Sequence, residues 1–464
     1  MPSGSSKARR VPASVEAQLQ AASYGRSRST ARTTREAAAR LIARAGREMD
    51  SWWRTRTVAG PIDVLDFFSG CGGMSAGFAA VNGVIHAYRI AGAVDIDGIA
   101  AASFAANLGV PCSLLDAARL VDDDRALEAF LQSCRLRSSA PLVLIGCAPC
   151  QGFSSHRNDA GPGDSRNSLY VDFAKIAARL VPEVVIAENV PEILTERYWP
   201  LVCHARSILE KAGYFVQISV HNTAEFGVAQ ERFRAVLIAM RRPFGPMRGA
   251  IARDEFKTVR EAIGHLPSIA AGQRDPNDAM HYTAGHRETT LETIRAVPKN
   301  GGSRPEDAGP ECLRRAKERA GRAAYEDVYG RLYWDRPSIT VTAYARNPAS
   351  GRFVHPEQDR GLSIREAALL QSFPSDYRFV GTLDECFRQI GNAVPPVFAN
   401  SLALFVLGEL LGSPVRVEDF DPGITASVGA SFSRLIPSLK AQGVAREPRR
   451  DWCVPDAKQL ELHI

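Results

Sequence analysis

The stretch LVLIGCAPCQGFSS, residues 142–155, sets Cys147 and Cys150 three positions apart at the end of an apolar run, with Pro149 between them. Three chemistries use cysteines at that spacing: a dithiol redox pair, half of a zinc site, or one nucleophilic thiol beside a structural one. Thirty-eight residues after Cys150, AENVPEIL puts Glu188 at the end of a second apolar run. A thiolate is the strongest nucleophile a side chain offers near neutral pH, and a carboxyl kept protonated in a dry pocket can donate to a ring nitrogen. Each residue alone also has an ordinary reading, as an inert core thiol and as a helix cap or ion-pair partner. A third group, AQERFRAVLIAM, alternates Gln230, Arg232 and Arg234. On a strand of period two these three face one side, where two arginines need anions or acceptors, either a substrate or a ladder of salt bridges.

The elements that must position these groups can be read around them. From Val58 onward, PIDVLDFF, HAYRIAGAVD, LVLIGCA and EVVIAEN read as buried strands, and MSAGFAAVN, GIAAASFAANL, SLYVDFAKIAARL and PLVCHARSILEKAG as helices following them. That repetition predicts an α/β fold with a doubly wound, mostly parallel sheet, whose ligands lie outside the carboxyl ends of the strands. Cys150 and Glu188 are one strand-helix-strand repeat apart, so both face one crevice. Another strand end carries DFFSGCGGMSAGF. Its glycines allow a tight turn and close approach to a ligand at a helix N-terminus, or simply close packing of helix on sheet. Asp95, 25 positions after Gly70, ends the next strand, near the roughly 20-residue offset at which a carboxylate catches ribose hydroxyls. The pair favours an adenosine-containing cofactor, while the turn is neither G-x-G-x-x-G nor a Lys-Ser/Thr phosphate loop.

Composition narrows the class. The chain has 464 residues, 45% hydrophobic and 23% charged, enough for a sizeable core. No apolar run is expected to reach the roughly 18 to 20 residues of a membrane span, and the Arg/Ser-rich N-terminus lacks a secretory apolar core. The expected location is the cytoplasm, with no membrane partner. Nine scattered cysteines do not suggest a disulfide framework. The net charge of +6 is uneven: residues 1–56 hold Lys7 and eleven arginines against four acids, a net of +8, leaving −2 for the rest. This arm reads either as a phosphate-binding tail or as a solubilising, partly helical extension.

Taken in order, DFFSGCGG, GCAPCQGFS, AENV, AQERFR, LLQSFPSDYRFVG and QIGNAVPP resemble the DNA (cytosine-5) methyltransferases that use S-adenosylmethionine, over about residues 62–410. The resemblance implies a Rossmann-like methyltransferase core, and Cys150 as the nucleophile that adds to carbon 6 of cytosine, with Cys147 a bystander. It implies Glu188 as the donor to ring nitrogen 3, and Arg232 and Arg234 as groups holding the target cytosine and its backbone. Gln151, Ser154, Asn189 and Gln230 join them as substrate-binding candidates. On the cofactor side it places Phe68 against adenine and Ser69, Gly70, Gly72 and Gly73 beside the methionine portion. Asp95 takes the ribose, Asp116 the adenine amino group, and Ile96, Pro149, Leu169, Asn392 and Ala393 complete the pocket. Asp95 and Ile96 stand where relatives often carry Glu and an aromatic, so the carboxylate is a methylene shorter and one stacking wall is absent.

The expected organisation is a basic N-terminal extension at 1–57, a cofactor-binding core at 58–244 and a small inserted target-recognition region at 245–335. A return to the core follows at 336–412, then a tail at 413–464. Carbon 6 of a stacked cytosine cannot reach a thiol in a crevice, so the base must flip out of double-stranded DNA. The resemblance further implies a monomeric, nucleoid-associated prokaryotic enzyme of the restriction-modification type, paired with a restriction endonuclease. Transfer RNA is the alternative substrate and thiol oxidoreduction the rival chemistry. His281, His286 and Cys312 fit no usual zinc spacing, so no metal is expected.

Overall fold

The computed structural model describes residues 60–149, 168–313, 315, 327–413 and 415–426. One eight-stranded sheet runs in the order β3-β2-β1-β4-β5-β7-β6-β8. Its strands are β1 (Ile62–Phe67), β2 (Tyr88–Asp95), β3 (Cys112–Leu114), β4 (Leu142–Gly146), β5 (Val184–Asn189), β6 (Phe215–Asn222), β7 (Phe233–Met240) and β8 (Ile424–Ala426). β1 to β5 pair in parallel, and β7 runs antiparallel to both β5 and β6. The order reverses between β1 and β4, and that reversal opens a crevice at their carboxyl ends.

Both faces of the sheet are covered, which is why the central strands read as continuous apolar runs rather than alternating ones. Ile62 and Val64 of β1, Val143 and Ile145 of β4 and Val184 and Ile186 of β5 point into one core with the helices Gly73–Ala80 and Pro396–Leu411. Leu65, Phe67, Leu142, Leu144 and Val185 point into the other, with the helices Asp124–Cys134, Ser168–Leu180 and Trp199–Lys211. Burying each such side chain contributes about 1.5 to 3 kcal/mol. Two aspartates interrupt β1. Burial alone would raise the pKa of Asp63, but its bonds to Arg89 and Arg137 outweigh that and hold it low. Asp66 accepts a hydrogen bond from Ser75 Oγ at 2.6 Å, and burial pushes its carboxyl up to about 7.

Three strands lie outside the five expected, four from apolar runs and β7 from AQERFRAVLIAM. β3 and β8 are three residues each, and β6 carries Gln217, Ser219 and His221 at alternate buried positions. The pair Ser219 Oγ and His221 Nε2, 2.7 Å apart, makes that polarity tolerable inside the core. The expectation about membrane-length apolar runs also needs correcting. Leu383–Leu411, the helices Leu383–Asn392 and Pro396–Leu411 taken together, is long and apolar enough, and it is mostly buried as core packing.

Within 245–335, Val259, Ile263, Leu332 and Trp334 belong to the first core, whereas Ile294, Val297 and Tyr329 join Val354 from beyond it in a small separate cluster. Arg331, fully buried, stands in for a strand ladder there. It donates to the carbonyls of Ile294, Val297, His355 and Gln358 and pairs with Asp359.

Candidate active site

The turn after β1 lies at the strand-order reversal and departs from ordinary backbone at three points. Phe68, Gly70 and Gly72 have φ of 56°, 53° and 92°. A phenylalanine in the left-handed region costs of order 1 kcal/mol and recurs at sites where a side chain must be aimed. The glycines are required for different reasons. A Cβ on Gly72 would meet Phe104 Cδ2 at 2.8 Å, and one on Gly73 would meet the Val394 carbonyl oxygen at 2.3 Å, so both let the helix seat against the protein itself. A Cβ on Gly70 would meet nothing within 4 Å, so its face is open to a ligand. Tyr377 fastens the turn by donating its hydroxyl hydrogen to the Cys71 carbonyl.

Asp95, at the end of β2, holds the other side of the turn. One carboxylate oxygen accepts from the Gly70 N–H at 2.7 Å and the other from Asp97 N–H at 2.8 Å. Burial raises its pKa and these bonds oppose the rise. Beside it stand two large apolar side chains in water, Ile96 at 75% exposure and Leu114 at 61%. Leu114 is the register partner of Asp95, so the two share a face of the sheet. Leu114 was not among the expected residues, although an apolar residue two before Asp116 in PCSLLD was a usable signal. Phe68 and Leu169 pack half-buried on the same cluster, with Phe68 6.3 Å from Phe173. Ser69 is buried with its Oγ 3.3 Å from Cys112 Sγ. Asp116 is exposed and caps its own turn through Ala118 N–H, Pro149 is half-buried past the end of β4, Asn392 is exposed and Ala393 half-buried.

Across the crevice, Glu188 is buried near the end of β5. Arg234 Nε lies 2.8 Å from its Oε1, an ion pair by distance, yet among the described residues that oxygen accepts no aligned hydrogen bond. Burial raises the pKa of Glu188, against the pull of the Arg234 and Arg232 charges. Cys150, Gln151 and Ser154 lie outside the described residues. Cys147 is half-buried, its thiol 3.4 Å from Met74 Sδ.

Three expected substrate groups are engaged elsewhere. β7 begins at Phe233, so Gln230 and Arg232 lie just ahead of it, while the charges of Arg232 and Arg234 both still act on Glu188. Gln230, fully buried, accepts from Val341 N–H at 2.8 Å and donates to Gln371 Oε1 at 2.9 Å. Arg232 donates to the carbonyls of Val341 at 3.0 Å and Gly391 at 2.8 Å. Asn189 donates to the Ala148 carbonyl at 3.1 Å and accepts from Val190 N–H, so it fixes the strand end that leads to Pro149. His281 and His286 are likewise engaged, with Ser363 and Pro267 and with Gly361 N–H respectively.

Known proteins resemble this chain in sequence and in fold. Residues 62–406 match the family described as C-5 cytosine-specific DNA methylase. The type II methylase M.HgiDII of Herpetosiphon aurantiacus is 32% identical over 364 residues, spanning 74% of this chain and 96% of that protein. The type II methyltransferase M1.HphI of Haemophilus parahaemolyticus is 32% identical over 347 residues, spanning 74% and 86%. A solved E. coli prophage protein described as a DNA modification methyltransferase superposes with a TM-score of 0.56 at 23% identity, covering 74% of this chain and 98% of that one, and this likeness bears on the fold alone. With the family match spanning most of the chain, the protein belongs to the C-5 cytosine-specific DNA methylases and is a DNA (cytosine-5-)-methyltransferase.

Proposed function

We propose that the chain methylates carbon 5 of a flipped cytosine in a specific duplex DNA sequence, with S-adenosylmethionine as donor, Cys150 as nucleophile and Glu188 as proton donor to ring nitrogen 3. The observation that carries this reading is the Glu188 carboxyl, buried, raised in pKa by that burial and held 2.8 Å from Arg234 Nε, one strand over from the β4 end that leads to Cys150. Carbon 5 of cytosine is a poor nucleophile until a thiolate adds at carbon 6 and makes the ring an enamine. Glu188 stabilises that adduct by donating where charge develops, an interaction stronger in the transition state than before it. Arg234 holds the carboxyl in place, and Asn189 fixes the backbone ahead of Cys150. After transfer, loss of the carbon-5 proton lets the thiol leave.

The cofactor side fits an adenosine-containing molecule. Gly70 presents open backbone, Asp95 lies at the strand end for ribose hydroxyls, and Ile96, Leu114 and Phe68 offer apolar surface to adenine, with Asp116, Leu169, Asn392 and Ala393 at the rim. When bound, S-adenosylmethionine supplies an electrophilic sulfonium methyl group. Ile96 takes the place of an aromatic wall, and Leu114 supplements it. Residues 245–335 read the target sequence. Relatives named as a type II methylase and a type II methyltransferase support a restriction endonuclease of matching specificity as functional partner. The chain acts as a monomer. Bisulfite sequencing of DNA from cells expressing the full chain tests the reading. Protected cytosines in one sequence context, absent with Cys150→Ala, are expected, and none in any context would overturn it.

A further inference from the structure

We infer that Gln371 is a positioning residue that couples the cofactor side of the crevice to the substrate side, through a directional chain of buried amides running Val341–Gln230–Gln371–Ile390. Gln371 is fully buried and lies just past the helix Ile364–Leu370. Its carbonyl oxygen accepts from Gln230 Nε2 at 2.9 Å, and its own amide donates to the Ile390 carbonyl at 2.7 Å and more weakly to Ala393 at 3.4 Å. The Gln230 carbonyl in turn accepts the Val341 N–H at 2.8 Å. Each amide therefore donates and accepts in one sense only, and neither can flip without losing both bonds, which is costly for buried polar groups.

The chain ends on two functional segments. At one end is the stretch 390–393, which carries Asn392 and Ala393 at the cofactor rim. At the other is 338–344, tied by Arg232 to the Glu188 side and bearing Tyr344, an aromatic at 68% exposure. The two segments also touch directly. A Cβ on Gly391 would lie 2.2 Å from Ala343 N, so the backbones cross with no side chain between them, and Arg232 bonds to both sides of that crossing. Such a close-packed junction transmits a shift of 390–393 to 338–344 rather than absorbing it. Cofactor and DNA then bind with a shared coupling free energy, which must be reciprocal.

The inference rests on the proposed function, and its test separates the two. Binding of S-adenosylhomocysteine to the full chain is measured by calorimetry with and without linearised unmethylated plasmid DNA. The wild-type protein is expected to bind it about tenfold more tightly with DNA, within the range usual for coupled sites. Gln371→Leu is expected to reduce that gain below about twofold, whereas a merely destabilised fold would weaken both affinities and leave their ratio unchanged. Gln371→Met, close to glutamine in size and without an amide, removes the same bonds and serves if Gln371→Leu does not fold. A wild-type gain retained in either folded variant, or no gain in the wild type, overturns the coupling. Failure of the wild type to bind S-adenosylhomocysteine at all overturns the proposed function instead.

Discussion

The two walls of the crevice are built by opposite means. The wall proposed to take the cofactor is largely open backbone and exposed apolar surface: Gly70, Asp95 with its two backbone bonds, and Ile96 and Leu114 standing in water. The wall proposed to take the substrate is buried charge, with Glu188, Arg232 and Arg234 all withdrawn from solvent. The contrast follows from what each must do. A ligand that carries its own charge and aromatic base needs a cradle that contributes area and a few acceptors, whereas a neutral ring that acquires charge during reaction needs dipoles fixed beforehand in a low-dielectric setting.

The sharpest way to break the comparison is at Glu188. Glu188→Ala should lower the turnover number by about 10² to 10³, the loss usual for removing one such donor, while leaving S-adenosylhomocysteine affinity unchanged. Radiolabelled methyl transfer and calorimetry check the two halves of that statement. Because burial raises the Glu188 pKa, its proton-donating form persists to higher pH than an ordinary glutamate's and is lost above that value. An alkaline fall in turnover is therefore expected, and Glu188→Gln, which keeps a donor at every pH, should remove it.

The next test separates two glycines that look equivalent in sequence. Gly73→Ala forces a methyl group against the Val394 carbonyl oxygen and should cost about 1 to 3 kcal/mol in denaturant unfolding. Gly70→Ala meets no neighbour, so its cost should be only the backbone strain of φ 53°, about 1 to 2 kcal/mol, while cofactor binding weakens. Unchanged S-adenosylhomocysteine affinity in Gly70→Ala would mean the Gly70 face is not a ligand surface.

Asp66 lies beneath the same turn, with its carboxyl raised from 3.8 to about 7 by burial. The folded state then holds a proton that the unfolded state has released between those values, so stability falls as pH rises through that window, by up to about 1.4 kcal/mol per unit. Asp66→Asn should flatten that decline in urea titrations at pH 5 and pH 7. A slope unchanged by the substitution would place the linkage elsewhere. Smallest is Leu114→Ala, expected to weaken S-adenosylhomocysteine about fivefold, the effect of about 1 kcal/mol of lost apolar contact. Unchanged affinity would remove Leu114 from the adenine wall.

The cofactor wall was the more legible of the two in the sequence because its parts are local. Strands β1, β2, β4 and β5 announce themselves as apolar runs, and the Gly70–Asp95 offset spans a single repeat. The substrate wall depends on partners far along the chain. Arg232 bonds to residues 109 and 159 positions away and Gln230 to one 141 away, so a period-two pattern suggested one shared face where the backbone was not yet a strand. β6 escaped notice for a related reason, since its polar residues are satisfied by contacts that only the fold supplies. Leu114 was missed because exposure, not residue type, marks it as unusual.

The account stands on the bond between Cys150 and carbon 6 of the extruded base. Duplex DNA bearing 5-fluorocytosine at the methylated position, incubated with the full chain and S-adenosylmethionine, leaves no carbon-5 proton to remove and so should trap that bond. Peptide mass spectrometry should then find the modified nucleotide on Cys150, with Cys147→Ser trapping equally well. Absence of any covalent complex, or attachment at Cys147, would contradict the account.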